Sequence, residues 1–144
     1  MKVDAILRAK GNRVETVRPD VAVSLAAHRM SSGRIGCLVV STDGVSLDGL
    51  VTERDLVRAL ARHTSAAPSL RVADVMSVDG PRCGPDDDVT AVMRTMTQRR
   101  YRHVPVVSDG RLVGLVSIGD VVKHRLEELE LERSVLRDAY VAAH

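Results

Sequence analysis

Tryptophan and phenylalanine are absent from this 144-residue chain, and tyrosine occurs only at positions 101 and 140. Single strands of nucleic acid are held largely by stacking bases on aromatic rings. A chain without such rings is poorly suited to that task. Lysine is almost missing as well: eighteen arginines stand beside three lysines, Lys2, Lys10 and Lys123. Acids nearly balance them, leaving a net charge of +2. That balance argues against the concentrated positive field of a nucleic-acid binder. The arginines nevertheless offer many bidentate ligands for phosphate.

Cysteine occurs twice, at 37 and 83, with no CxxC spacing. Neither a disulfide framework nor a zinc site is expected. The first residues lack the apolar core of a secretory signal. No apolar run approaches the roughly 20 residues needed to span a bilayer. A cytoplasmic setting without membrane contact is the expectation.

What is present is aliphatic and repeated. Hydrophobic residues make up 44% of the chain, enough for a core of Val, Leu, Ile, Ala and Met. Gly49-Leu50-Val51-Thr52-Glu53-Arg54-Asp55 returns 65 residues later as Gly114-Leu115-Val116-Ser117-Ile118-Gly119-Asp120. Residues 35–40 return as 102–107, at an offset of 67. The drift between offsets falls on the hairpin tips, where insertions are tolerated. Both tips carry the Asp-Gly pair of a hairpin turn, Asp43-Gly44 and Asp109-Gly110.

Each half reads as β-α-β-β-α. A short extended segment (14–17, 81–83) precedes an amphipathic helix (21–30, 89–99), two strands and a closing helix (54–62, 119 onward). The fold class is therefore α/β (α+β), with boundaries at 10–65 and 74–131. A helical extension follows at 132–144. Along the last helix, Val122, Leu126, Leu129, Leu136 and Tyr140 recur at near-heptad spacing, with Arg133 in the missing step. That stripe either caps its own module or seats a partner helix.

The repeated turn is suited to a nucleotide. The first amides of a helix lack internal partners and form a partial positive pole that favours phosphate. Thr52 or Ser117 can donate to phosphate, and Asp55 or Asp120 can accept from ribose hydroxyls. Arg58 and Lys123, one turn on, can reach phosphate. A purely structural reading stands beside this one, because a hydroxyl followed three residues on by an acid is also a capping arrangement. The halves differ within the turn: Glu53-Arg54 in the first, Ile118-Gly119 in the second. The two sites are expected to be unequal. Arg99, Arg100 and Arg102 either face a cleft or decorate a helix end.

With both units in view, the chain resembles a tandem pair of CBS domains, over roughly residues 10–131. The resemblance rests on the doubled β-α-β-β-α order, the two Gly-Leu-Val-Thr/Ser-x-x-Asp turns, and residues 100–107 and 116–123. It implies two units packed about a pseudo-twofold axis, with clefts between them. It implies adenine-containing ligands (AMP, ADP, ATP, NAD or S-adenosylmethionine), a regulatory role and a homodimer. Carried onto these residues, Ile35, Gly36 and Cys37 of one half and Arg102, His103, Val104 and Pro105 of the other would line the base pocket. Thr16 would touch ribose or base; Cys83, its counterpart, departs from the usual hydroxyl. Thr52, Arg54, Asp55, Arg58, Arg100, Ser117, Asp120 and Lys123 complete the ligand set. No Walker loop, nucleophile elbow or zinc-protease motif occurs, so no catalytic residue, metal or required cofactor is expected. The alternative is a constitutive scaffold with degenerate clefts; nucleic-acid binding ranks below both.

Overall fold

The computed structural model describes residues 1–143. In chain order its elements are α1 (Val3–Lys10), β1 (Thr16–Val17), α2 (Val23–Gly33), β2 (Cys37–Val40), β3 (Gly49–Thr52) and α3 (Glu53–His63). A 3-10 turn (Thr64–Ser69) leads to α4 (Val72–Val75), α5 (Val89–Arg99), β4 (His103–Ser108), β5 (Arg111–Ser117) and α6 (Ile118–Ala143). None of the helices is long and apolar enough to cross a membrane, among the described residues.

The first half holds a three-stranded sheet in the order β1-β2-β3. β1 runs parallel to β2, and β2 pairs antiparallel with β3. All four residues of β2 are buried, which explains its unbroken apolar sequence. The second half repeats the hairpin as β4-β5. Its expected first strand, residues 81–83, shrinks to a single parallel bridge between Cys83 and Val106. Pro81 has no amide to donate, which shortens any ladder there.

The two Asp-Gly tips fold differently. Asp109 and Gly110 both adopt positive φ, 51° and 74°, as a tight two-residue turn between right-twisting strands requires. In the longer first loop only Gly44 is left-handed. There Asp43 Oδ1 accepts from the amides of Val45 and Ser46. Those hydrogen bonds hold the Asp43 carboxyl well below the usual carboxylate range, the Ser46 amide contributing most.

The helices that open each unit cross over. α1 was not expected from the sequence, and it packs on the second half. Val3, Ile6 and Leu7, spaced along one helical face, join a core with Val89, Val92, Met96, Val104 and Val116. Its orphan N-terminal amides are satisfied there: Val3 N donates to Asp87 O at 2.9 Å and Asp4 N to Pro85 O at 2.8 Å. α4 does the same to the first half. Val72 N donates to Val21 O at 2.8 Å and Ala73 N to Pro19 O at 2.9 Å, and Val72 is fully buried beside Val17, Ala26 and Leu38. Each such aliphatic side chain contributes about 1.5–3 kcal/mol. A third cluster of Cys37, Val39 and Leu50 with Leu112 and Leu115 joins the two sheets.

α6 is anchored by Val121, its one buried residue. From Leu129 to Ala143 every residue is exposed. The expected stripe of Val122, Leu126, Leu129, Leu136 and Tyr140 thus lies uncovered within the chain.

Candidate functional site

Both strand-to-helix turns form capping boxes. Thr52 ends β3 with extended backbone and caps α3; Asp55 N donates to Thr52 Oγ1 at 3.3 Å. In return Asp55 Oδ2 accepts from Thr52 N at 2.9 Å and Thr52 Oγ1 at 3.0 Å. Ser117 and Asp120 repeat the arrangement at 2.9 and 3.1 Å. The capping reading of these residues is therefore correct in both halves, and it places each aspartate at a helix N-terminus.

The glycine that opens each motif serves a different purpose. A Cβ on Gly49 would lie 2.8 Å from Ser77 O, and one on Gly114 would lie 2.5 Å from Leu7. These glycines make room for the segments that cross between halves. Beside Gly49, the linking segment pairs with β3: Leu50 N donates to Ser77 O, and Ser77 N to Leu50 O. The crossing brings Ser77 Oγ to within 3.0 Å of Asp55 Oδ1. Asp55 is consequently only 6% exposed.

Above that turn opens a cleft of about 560 Å³. One wall is the first half: Gly36, Leu50, Thr52, Glu53, Arg54, Asp55 and Arg58. The opposite wall is the second half: Arg99, Arg100, Tyr101, Arg102, His103 and Pro105. Ser77, Gly80, Pro81 and Arg82 of the linking segment close it. Of the expected ligand residues it unites Gly36, Thr52, Arg54, Asp55, Arg58, Arg100, Arg102, His103 and Pro105. Alternation along β4 explains the strand contribution. His103 and Pro105 line the cleft, whereas Val104 is 1% exposed in the core of the second half.

The other expected residues lie elsewhere. Cys37 is buried between the sheets, and Ile35 packs against the first-half core. Thr16 belongs to β1, and its carbonyl accepts from Arg29 Nη1 at 2.7 Å. Lys123 lies beside Ile118, Val122 and Leu126 on an outward face of α6. Ser117 and Asp120 form the second turn, away from this cleft. Sequence reading missed Ser77, Arg82 and Tyr101, which reach the cleft because the linking segment crosses and α5 ends there. The end of α5 is shaped by Arg100, whose φ of 59° terminates the helix in left-handed conformation. Arg99 then stacks 5.4 Å from the Tyr101 ring centre and donates to Asp79 O.

Electrostatically the cleft is dominated by guanidinium. Six arginines line it: 54, 58, 82, 99, 100 and 102. Among the described residues, no carboxylate forms a salt bridge with any of them. His103 is held below its usual range, first by burial and then by the Lys10 cation, so its imidazole is neutral at pH 7. Burial, and then the Asp55 carboxylate, push the Cys37 thiol up to about 12, which leaves it no thiolate to react. Among the described residues no group of three or more metal-ligating side chains is gathered.

A duplicated α/β unit whose opening helices cross between halves, with a cleft bounded by both, defines an internally repeated module with a shared cleft. The CBS-domain family model matches this chain twice, at residues 11–62 and 72–127, and the chain belongs to that family. A CBS-domain containing protein from Agrobacterium tumefaciens, solved by crystallography, is 43% identical with a TM-score of 0.82, over 87% of this chain and 99% of that one. A mitochondrial CBS domain-containing protein of Arabidopsis thaliana is 31% identical, over 96% of this chain and 73% of its own length. The crystal structure of CBSX2 in complex with AMP is 25% identical with a TM-score of 0.75, over 88% of this chain and 96% of that one.

Proposed function

We propose that this chain is a non-catalytic regulatory module that binds an adenine nucleotide in the cleft between its repeats. The observation that carries the reading is the meeting, in one cleft, of Asp55 at a helix N-terminus and a bank of arginines free of salt bridges. Asp55 is placed for ribose hydroxyls and the arginines for phosphate. Pro81, Tyr101 and Pro105 supply apolar and ring surface for a base. The AMP complex of CBSX2 supports an adenine ligand by likeness of family.

Thermal melting against AMP, ADP, ATP, NAD, S-adenosylmethionine and, as control, GTP tests this. A ligand at a hundred times its Kd adds about 2.7 kcal/mol, a melting shift of several degrees for a chain of this size. No shift with any adenine compound overturns the reading.

The exposed stripe on α6 favours a second component, self-association. Leu126, Leu129, Leu136 and Tyr140 are each at least 44% exposed, an arrangement that suits pairing with the same helix of another copy. Sedimentation equilibrium is expected to give a dimer; a monomer at all concentrations removes this part of the proposal.

A further inference from the structure

The internal symmetry lets the surroundings of Asp55 and Asp120 be compared residue by residue. Three backbone landmarks set the equivalences. Arg34 and Arg100 both end a helix in left-handed conformation, at φ 53° and 59°. Gly36 O accepts from Glu53 N as Arg102 O accepts from Ile118 N, at 3.1 and 2.8 Å. Thr16 pairs in parallel with Val39 as Cys83 does with Val106.

By these landmarks each arginine of the Asp55 cleft has a counterpart on the Asp120 side. Arg54 and Arg58 correspond to Gly119 and Lys123. Arg99, Arg100 and Arg102 correspond to Gly33, Arg34 and Gly36, and Arg82 corresponds to Glu15. The six guanidiniums thus correspond to two cations, one carboxylate and three glycines, of which Gly36 itself lines the Asp55 cleft, where Glu53 is a carboxylate neighbour of the arginines. The aspartates differ as well. Asp55 is met by the linking segment at Ser77, and Asp120 by the end of α1 at Lys10. Ser77 is uncharged and donates to Asp55 Oδ1 at 3.0 Å. Lys10 instead places its ammonium 2.7 Å from Asp120 Oδ2 and donates to Leu115 O at 2.9 Å. Leu115 is itself the counterpart of Leu50, the residue Ser77 pairs with. An internal cation therefore sits on the carboxylate that symmetry with Asp55 would offer to a ribose.

Resting on the nucleotide reading above, we infer that the Asp55 and Asp120 sides have separated in function. The Asp55 cleft is a single site for a nucleoside di- or triphosphate. The Asp120 side takes no nucleotide, because Lys10 holds its carboxylate and only Arg34 and Lys123 stand where the Asp55 cleft has six arginines. Guanidiniums without carboxylate partners favour ligands in order of their negative charge. The cleft therefore ranks triphosphate above monophosphate and disfavours a sulfonium such as S-adenosylmethionine.

Isothermal titration of the full chain with ATP, AMP and inorganic tripolyphosphate tests this. The expected results are one ATP per chain and ATP at least about tenfold tighter than AMP. Arg54→Ala and Arg58→Ala remove exposed helical side chains without salt-bridge partners, so folding should be preserved. Each is expected to weaken ATP about tenfold and AMP less. Asp120→Asn should change neither stoichiometry nor affinity. Two ATP per chain, AMP as tight as ATP, or loss of binding in Asp120→Asn overturns the inference. If no adenine nucleotide binds, the adenine reading fails. The single polyphosphate site then stands only if tripolyphosphate binds one to one and is weakened by Arg58→Ala; silence from tripolyphosphate as well overturns it.

Discussion

Gly49 lies against the carbonyl of Ser77 so closely that a Cβ there would sit 2.8 Å from that oxygen. The relationship ties the sequence motif to the crossing of chains: Ser77 pairs with β3 only because position 49 has no side chain. Its twin, Gly114, meets the flexible end of Leu7 instead of backbone. Gly49→Ala is therefore expected to destabilise the fold by about 1–3 kcal/mol, the usual cost of overpacking. Gly114→Ala should cost less, since Leu7 can rotate away. Urea unfolding of the two variants checks the order, and equal costs would contradict it.

Asp55→Ala is expected to cost about 2–4 kcal/mol, from a lost helix cap and three stranded donors, Thr52 N, Thr52 Oγ1 and Ser77 Oγ. Ser77→Ala takes the partner from Asp55 Oδ1 while Oδ2 keeps both Thr52 bonds, so it should cost less, about 1–2 kcal/mol. Thermal or urea melts of both variants provide the measurement.

Lys10→Met should lower stability by about 1–2 kcal/mol, because a half-exposed charged pair is lost while Asp120 keeps its Ser117 contacts. The effect depends on acid. Burial raises the Asp120 pKa, but the Lys10 hydrogen bond and the Ser117 contacts outweigh it, and the group ends below its usual value of 3.8. A depressed carboxylate stabilises the fold above the unfolded pKa and loses that contribution as pH falls through the folded one. The wild type and Lys10→Met should therefore differ at pH 7 and converge toward pH 3.

His103 responds to the same cation. Its folded pKa lies below 6.5, chiefly through burial and then through Lys10. The native state favours the neutral ring, so stability is lost as pH falls from 6.5 toward the folded value. Lys10→Met removes one depressing charge and uncovers Asp120, which raises the pKa. An NMR titration of the His103 ring should show an upward move; an unchanged midpoint would separate His103 from Lys10.

Burial first, and a neighbouring carboxylate second, push the thiols of Cys37 and Cys83 up to about 12. Neither should react with iodoacetamide at pH 8 in the native protein, and both should react in urea. Mass spectrometry of the labelled chain tests this; native labelling at either position would show that its pocket opens.

Much was readable because the duplication repeats local signals. Apolar periodicity marked α5 as 89–99, where it is found, and the Thr/Ser-x-x-Asp spacing marked both helix starts. The clustering of Arg100 and Arg102 in a cleft was one of two open readings, and the crossing of the halves decided it. Other features had no local signal. Residues 3–9 lay outside the assigned unit, since their helix is completed by contacts with residues 85–89. Cys37 and Val104 carry the same strand pattern whether they face a ligand or a core, and only the register of the sheet put them inside.

The sequence by itself determined the repeat, the capped turns and the difference between Glu53-Arg54 and Ile118-Gly119, because periodicity, capping and turn chemistry act over a few residues. Tertiary structure decided which arginines share a cleft, that Ser77 meets Asp55, and that Lys10 meets Asp120. Those pairs are separated by 22 and 110 positions. They meet because α1 and the linking segment each bury their apolar faces on the opposite half, a choice set by long-range packing.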